Sequence, residues 1–349
     1  MNNPISVKSV LMIGNYLPSP KYNKNVWHFL AERLQSIGWT VLTVSSKENK
    51  FLRLLDMLWT PISKRKAYQV AQVDVFSGQA FYFALLSAIL LRWLKKPFVL
   101  TLHGGGLTSL ALRRPRLFSF LLNSPDVVVT PSSSMQKSFE KVRPDILFIP
   151  NPIDIPDSIY RHRMNLRPVL IWIRAFHEAY NPSLAVQVLH ALSQEFPDVR
   201  LIMIGPDKQD GSLQKAQALV DRFGLRQQAE FIEGIPHTEV PAWLDQADIF
   251  LNTTNFDTAP RSLLEAMANG LCVISTNVGG IPDIVSDGQN GLLVPPDDTE
   301  KMTEAVTRVL QIPELASQLS QNARLSSLKN DWSLVLPRWD KLLSEIAAK

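Results

Sequence analysis

Short apolar runs that end in glycine- or proline-marked loops recur along the whole chain, with a helically spaced stretch between one run and the next. No other feature limits the fold so strongly. A helix between two short strands makes them run parallel, and a parallel sheet must be covered on both faces. Residues 10–13 read as a buried strand ended by Gly14 and Asn15. Residues 26–37 carry Trp27, Leu30, Leu34 and Ile37 on one helical face. Gly38 ends that helix, and 40–44 is the next strand. The reading continues with a short strand at 74–76, a helix over 81–94 and a strand over 97–102 that runs into His103-Gly104-Gly105-Gly106. Strands at 126–130 and 146–149 follow, with a helix opening at 132–134 between them.

The stretch Pro150-Asn-Pro-Ile-Asp-Ile-Pro156 continues neither a helix nor a central strand, so the domain boundary falls there. A second series then begins. Strands are expected at 169–173, 199–204, 230–232, 248–251 and 272–275. Helices are expected at 182–195, 214–223, 238–246 with Thr238 as cap, 261–269 and 298–310. The turn Asp287-Gly-Gln-Asn-Gly291 into 292–294 reads as a hairpin-like connection. The fold class is therefore α/β, with two doubly wound domains. Residues 1–152 form the first, and 153–331 form the second.

Composition excludes several classes. With 46% hydrophobic and 19% charged residues, a chain of 349 can bury two cores and is not disordered. The single cysteine, Cys272, rules out an internal disulfide. A net charge of +4 is too small a bias for nucleic-acid binding. Residues 1–9 are polar and 10–13 are too few for a secretory leader. The most apolar stretch, 80–91, is closed by Arg92, Lys95 and Lys96; a spanning helix needs roughly 20 residues, so this one reads as a buried helix. The expectation is a cytoplasmic protein. Charge is uneven: residues 1–160 hold 19 Lys/Arg against 9 Asp/Glu, and the remainder is acidic. This points to halves with different partners, although solvated faces alone also produce such asymmetry.

In doubly wound sheets ligands bind beyond the carboxyl ends of the strands, so residues there are the candidates. His103 with Gly104 and Gly105 offers a donor and free amides, or else a plain turn. Arg174 can grip a phosphate in bidentate fashion, or be a solvated charge. Gly205-Pro206-Asp207 reads as a tight turn. The densest region is 252–280. Its polar loop enters a helix through Thr258-Ala259-Pro260-Arg261, and the amides there suit a phosphate. Asp257 and Glu265 suit sugar and ribose hydroxyls, which donate to acceptor-only groups. The competing reading makes Asp257 a helix cap and Glu265 a surface charge, although Leu263, Leu264, Ala266 and Met267 flank it.

Asp257-x7-Glu265 with Ala-Met-Ala-x-Gly, then Val-Ile-Ser-Thr-Asn-Val-Gly-Gly-Ile-Pro and Asp-Gly-x-Asn-Gly-Leu-Leu-Val-Pro-Pro, resembles the donor domain of retaining glycosyltransferases of family 4. Ile149-Pro-Asn-Pro-Ile-Asp154 is similar to that family's linker, and Thr101-Leu-His-Gly104 to its acceptor-side loop. The resemblance implies the GT-B fold, two Rossmann-like domains across a cleft, with the last helix (332–349) returning to the first domain. It implies sugar transfer from a nucleotide-sugar as substrate, with no metal or other cofactor. By position, Glu265 holds the ribose and Asp257 faces the donor sugar. Thr258, Ala259, Pro260 and Arg261 lie along sugar and diphosphate. Arg174 grips the diphosphate, with Gly205 and Tyr180 beside the donor. His103 sits against the donor sugar, and Gly14, Asn15, Gly104 and Gly105 lie on the acceptor side.

The chain departs from the family's pattern at three places. Asp257 replaces a glutamate, Tyr180 replaces a lysine six positions after the arginine, and Gly14 is followed by Asn15-Tyr16-Leu17-Pro18 rather than by a second glycine. Lys208 and His177 are sequence candidates for the missing positive charge. A catalytically silent protein that binds a nucleotide-sugar or a partner is the alternative, and a sugar-nucleotide epimerase a third. Lys47, Lys50, Arg53, Lys64, Arg65 and Lys66 are interleaved with Phe51, Leu52, Leu54, Leu55, Met57, Leu58 and Trp59. That pattern fits an anionic membrane surface at the inner face, and with it a lipid-linked saccharide acceptor; it equally fits an amphipathic core helix.

Overall fold

The computed structural model describes residues 8–17 and 26–348. The polar start at 1–7, Pro18 and Lys349 lie outside the described residues. The chain divides into two compact units: one runs to Asn151 and takes back the chain from Ser333, and the other is Pro152–Trp332.

The first unit alternates β1 (Ser9–Ile13), α1 (Val26–Ser36), β2 (Thr40–Val44), α2 (Lys50–Ser63), β3 (Val70–Val75), α3 (Gln79–Trp93) and β4 (Phe98–Leu102). Then come α4 (Gly106–Arg113), α5 (Pro115–Leu122), β5 (Val127–Thr130), α6 (Ser133–Phe139) and β6 (Leu147–Phe148). Its six strands are parallel, in the order β2-β1-β3-β4-β5-β6. The chain turns back on itself between β1 and β3, which makes their carboxyl ends a topological switch point. The last helix, Trp332–Ala347, packs on this unit. Trp339 meets Trp27 with ring centroids 6.2 Å apart, and Asp340 Oδ1 accepts from Trp39 Nε1 and Lys8 Nζ, each at 2.8 Å.

In the second unit β7 (Val169–Ile173), α7 (Pro182–Ser193), β8 (Arg200–Ile204), α8 (Ser212–Phe223), β9 (Ala229–Ile232) and α9 (Val240–Asp245) build one half. The other half is β10 (Ile249–Asn252), α10 (Arg261–Ala268), β11 (Cys272–Thr276), β12 (Leu292–Val294), α11 (Thr299–Gln311) and α12 (Pro313–Ser327). The strand order β12-β11-β10-β7-β8-β9 is that of a dinucleotide-binding sheet, with its switch point between β7 and β10. Local chemistry sets the helix ends. Asn181, in the left-handed region at φ 45°, accepts from Leu184 N ahead of Pro182, and Asp298 accepts from Lys301 N to open α11. The entering chain is pinned by Asp248, which is buried and accepts from Arg161 Nη2 at 2.6 Å, Arg167 N at 2.7 Å and Arg167 Nη2 at 2.9 Å.

Several sequence expectations change. β3 starts four residues before 74 because Gln72, which breaks the apolar run, is buried and donates to Asp74 Oδ1 and Thr101 Oγ1. Thr238 does not cap a helix: it lies inside a 3-10 turn, His237–Glu239, that leads into α9. The 287–294 segment is no hairpin, since β12 pairs parallel with β11 at the sheet edge. α12 gave little warning in the sequence because its buried face mixes Ala316, Leu319 and Ala323 with Ser320 and Ser327. The 80–91 stretch, read as a buried helix, is buried along one side, while Tyr82, Leu86 and Ile89 of α3 are exposed.

Candidate functional site

Arg174 leaves the carboxyl end of β7 and Asp257 lies in the loop after β10, so the two face each other at the switch point of the second sheet. Their side chains form an ion pair between Arg174 Nη2 and Asp257 Oδ2, and both are largely buried. The guanidinium also lies over the Tyr180 ring, 4.5 Å from its centroid. Burial lowers the Arg174 pKa, and Tyr180 and Glu265 oppose that shift. Tyr180 is held there by the loop that carries Asp257. Thr253 Oγ1 donates to Tyr180 O at 2.8 Å, Asn255 N donates to Ala179 O at 2.8 Å, and Trp172 Nε1 donates to Thr253 Oγ1 at 2.9 Å. One loop therefore fixes both the ring and the carboxylate against the same cation.

Two glycines make this packing possible. A Cβ on Gly205 would lie 1.7 Å from Arg174 O, and one on Gly279 would lie 1.9 Å from Asp257 O. Gly280 N donates to that same Asp257 oxygen at 2.9 Å. Gly205 is thus the contact that lets β8 run beside Arg174, beyond the tight turn read from sequence. Asp257 does not cap α10: it accepts from Thr258 N at 2.7 Å, and the cap position is Pro260.

Glu265, one turn into α10, is not a surface charge. Its Oε1 lies 2.8 Å from His237 Nε2 and 3.1 Å from Arg261 Nη2. Burial alone would raise its pKa, but Arg261, His237 and Arg174 together hold the carboxyl below its ordinary value. Both of these contacts are made to Oε1. Arg174 Nε, Thr258 Oγ1 and Ser262 Oγ are buried without a hydrogen-bond partner among the described residues. Unmet buried donors are costly, and a bound anion satisfies them. Ala259 and Pro260 line the backbone between them, both buried. His237 was missed from sequence; its position after β9 and Gly234 was the available signal. Of the sequence candidates for extra positive charge, His177 is tied down, with Nε2 3.9 Å from Asp210 and Nδ1 accepting from Ala179 N.

The remaining candidates lie in the first unit. His103 follows β4 and is buried between Trp27 and Phe76, at centroid distances of 4.2 and 5.0 Å. Its Nε2 lies 3.4 Å from Asp74 Oδ1. Asp74, which sequence reasoning passed over inside β3, is buried, and burial raises its pKa against the pull of His103 and Gln72. Gly14 sits against it: a Cβ there would lie 2.3 Å from Asp74 Oδ2. Asn15 Oδ1 accepts from Arg53 Nη1 at 3.2 Å. Gly104, at φ 76°, and Gly105 turn the chain into α4. His103, Gly14 and the glycine loop therefore meet at one sheet end, around a carboxylate.

Residues 162–326 match the family model "Glycosyl transferases group 1", and 25–156 match "Glycosyltransferase Family 4". The chain belongs to the family 4 type of GT-B glycosyltransferases. A GDP-mannose-dependent α-(1-6)-phosphatidylinositol monomannoside mannosyltransferase of Mycolicibacterium smegmatis is 27% identical over 77% of this chain and 76% of its own length. An exopolysaccharide phosphotransferase of Streptomyces coelicolor is 25% identical over 71% of this chain but only 25% of its own length. Anabaena HepE in complex with UDP-glucose superposes with a TM-score of 0.76, at 16% identity, over 97% of this chain and 99% of that one. The last likeness establishes the fold: two parallel six-stranded units of the GT-B kind.

Proposed function

We propose that the chain transfers a sugar from a nucleotide-sugar to a saccharide or lipid-linked saccharide, with retention of anomeric configuration and without a metal, in surface glycan synthesis at the inner membrane face. The observation that carries this reading is the Arg174 guanidinium at the switch point, buried and clamped between Tyr180 and Asp257. A leaving diphosphate needs positive charge placed in advance, and a low-dielectric site makes that charge worth more. Arg261, the first residue of α10, adds a second cation beside the loop amides at 258–261. Glu265 accepts from the ribose hydroxyls. Asp257 orients Arg174 and faces the donor sugar, its shorter reach offset by the loop that brings it in. In transfer the bond from the sugar C1 to the diphosphate oxygen breaks, the acceptor oxygen bonds to C1, and the acceptor hydroxyl's proton passes to the departing diphosphate. The mannosyltransferase and UDP-glucose-bound relatives support a nucleotide-sugar donor.

The test is a panel of UDP-, GDP- and ADP-sugars, scored by thermal shift and NDP release, with and without EDTA. The product anomer is then read by NMR. Release of NDP with a new bond of unchanged configuration, insensitive to EDTA, is expected. An inverted product or loss of activity in EDTA overturns that part of the reading. Tyr180 in the family's lysine position favours a second reading, a silent donor-binding protein. Stabilisation by a donor with no turnover, even with membrane extract as acceptor, would establish it.

A further inference from the structure

Helix α3 carries no charged residue before Arg92. Phe81, Ala84, Leu85, Ala88 and Leu91 face the core. Its other side is also apolar. Tyr82, Leu86, Ile89 and Trp93, spaced by four, three and four residues, stand 40–74% exposed. A helix apolar all round needs cover on every side, and among the described residues nothing covers this stripe. Beside it, α2 exposes Phe51, Leu55, Trp59 and Ile62, between 41% and 68%. The two helices are stitched at their carboxyl ends: Arg65 Nη2 donates to Leu94 O at 2.9 Å and Lys96 Nζ donates to Tyr68 O at 2.7 Å. The apolar stripes thus belong to neighbouring helices whose ends bring Lys64, Arg65 and Lys66 close to Arg92, Lys95 and Lys96.

We propose that the outer faces of α2 and α3 dock this unit on an anionic lipid surface, with the tryptophans in the headgroup layer and the lysines and arginines on the phosphates. Charge decides the occupant. Between residues 47 and 116 there are twelve Lys/Arg and three Asp/Glu, and one of those acids, Asp74, is buried. A second copy laid face to face would set like charges against like, whereas an anionic bilayer neutralises them. Each basic residue near such a surface contributes about 1 kcal/mol, and exposed Trp, Phe and Leu add their buried area. No helix of the described residues is long and apolar enough to cross a membrane, so the face lies on the lipid rather than spanning it. The membrane-surface expectation for 47–66 is thereby deepened: the second helix, read from sequence as buried, supplies half of the face.

The experiment is co-sedimentation of the full chain with vesicles of phosphatidylcholine alone or mixed with phosphatidylglycerol, at low and high salt, without sugar donor. Binding is expected only to the phosphatidylglycerol vesicles and is weakened by salt. W59A/W93A and K64E/K66E should each lower partition roughly tenfold or more. Donor-induced thermal stabilisation should be unchanged in both, which separates a failure of docking from a failure of the donor site and shows that both variants fold. No vesicle binding, or equal binding by the variants, overturns the proposal. So would a dimer seen by light scattering that W59A/W93A dissolves without any vesicle binding.

Discussion

The Arg174 guanidinium lies over the Tyr180 ring, 4.5 Å from its centroid, while its Nη2 pairs with Asp257. By the resemblance read from sequence, the tyrosine takes the place of a second cation. It adds no charge, but its ring face attracts the first cation and shields it from water. Such a contact is worth about 0.5–2 kcal/mol. Tyr180→Ala should therefore slow NDP release by roughly 2- to 30-fold. Tyr180→Phe, which keeps the ring, should stay close to the parent. An unchanged rate in Tyr180→Ala would remove the ring from the mechanism.

Asp257→Asn keeps the side-chain shape but takes away the charge facing Arg174. Breaking a largely buried ion pair leaves the other charge uncompensated. Turnover should drop about tenfold or more, and the thermal midpoint of the unliganded protein should fall. Donor should restore more of that midpoint than it does in the parent, because the diphosphate then becomes Arg174's partner. Equal donor stabilisation in both proteins would show that Asp257 and diphosphate do not share the guanidinium.

Glu265→Ala removes the acceptor at the centre of the Arg261 and His237 contacts. Donor affinity should weaken by about 1–3 kcal/mol, the worth of hydrogen bonds to a charged group. Calorimetric titration with the nucleoside diphosphate reads this directly. His237→Ala keeps the carboxylate and should cost less. A parental affinity in Glu265→Ala would end the ribose assignment.

Gly279 packs its α-carbon onto the Asp257 backbone at a φ of 56°, where a side chain is strained and a Cβ collides. Gly279→Ala should destabilise the second unit by about 1–3 kcal/mol and weaken donor binding by displacing Asp257. Unchanged melting and binding would mean that the loop yields without cost.

Asp248 gives a pH dependence. Burial would raise its pKa, but bonds from Arg167 and Arg161 hold it at about 2, against 3.8 ordinarily. Its folded value is depressed, so the stabilisation is present above about pH 4 and is lost as pH falls toward about 2. The shift corresponds to about 2 kcal/mol. Chemical denaturation from pH 7 to pH 3 should show parental stability falling toward that of Asp248→Asn, which lacks this pH-dependent part. Parallel curves would sink the assignment.

The sheets and their loops were legible because parallel strands are short apolar runs that must end where the chain leaves the core. Leu170 to Ile173 and Cys272 to Ser275 announce themselves in that way, and so do the loops that carry Arg174 and Gly279. The polar members of the core did not. Gln72 and Asp74 break the pattern of β3, and only their bonds to each other, Thr101 and His103 explain their burial. His237 lies far in sequence from Glu265, and no local periodicity links the two.

By itself, the sequence determined two α/β units, their boundary near Pro152, the strand-end positions of Arg174 and Asp257 and the place of Glu265 in the helix that follows, because periodicity and glycine placement are local properties of a chain. The tertiary structure decided which side chains share a charge. It set Tyr180 on Arg174, His237 on Glu265 and Asp74 beside His103, and it turned the second face of α3 outward. Those relations depend on how strands far apart in sequence are ordered in a sheet, and on which helix face the sheet leaves uncovered.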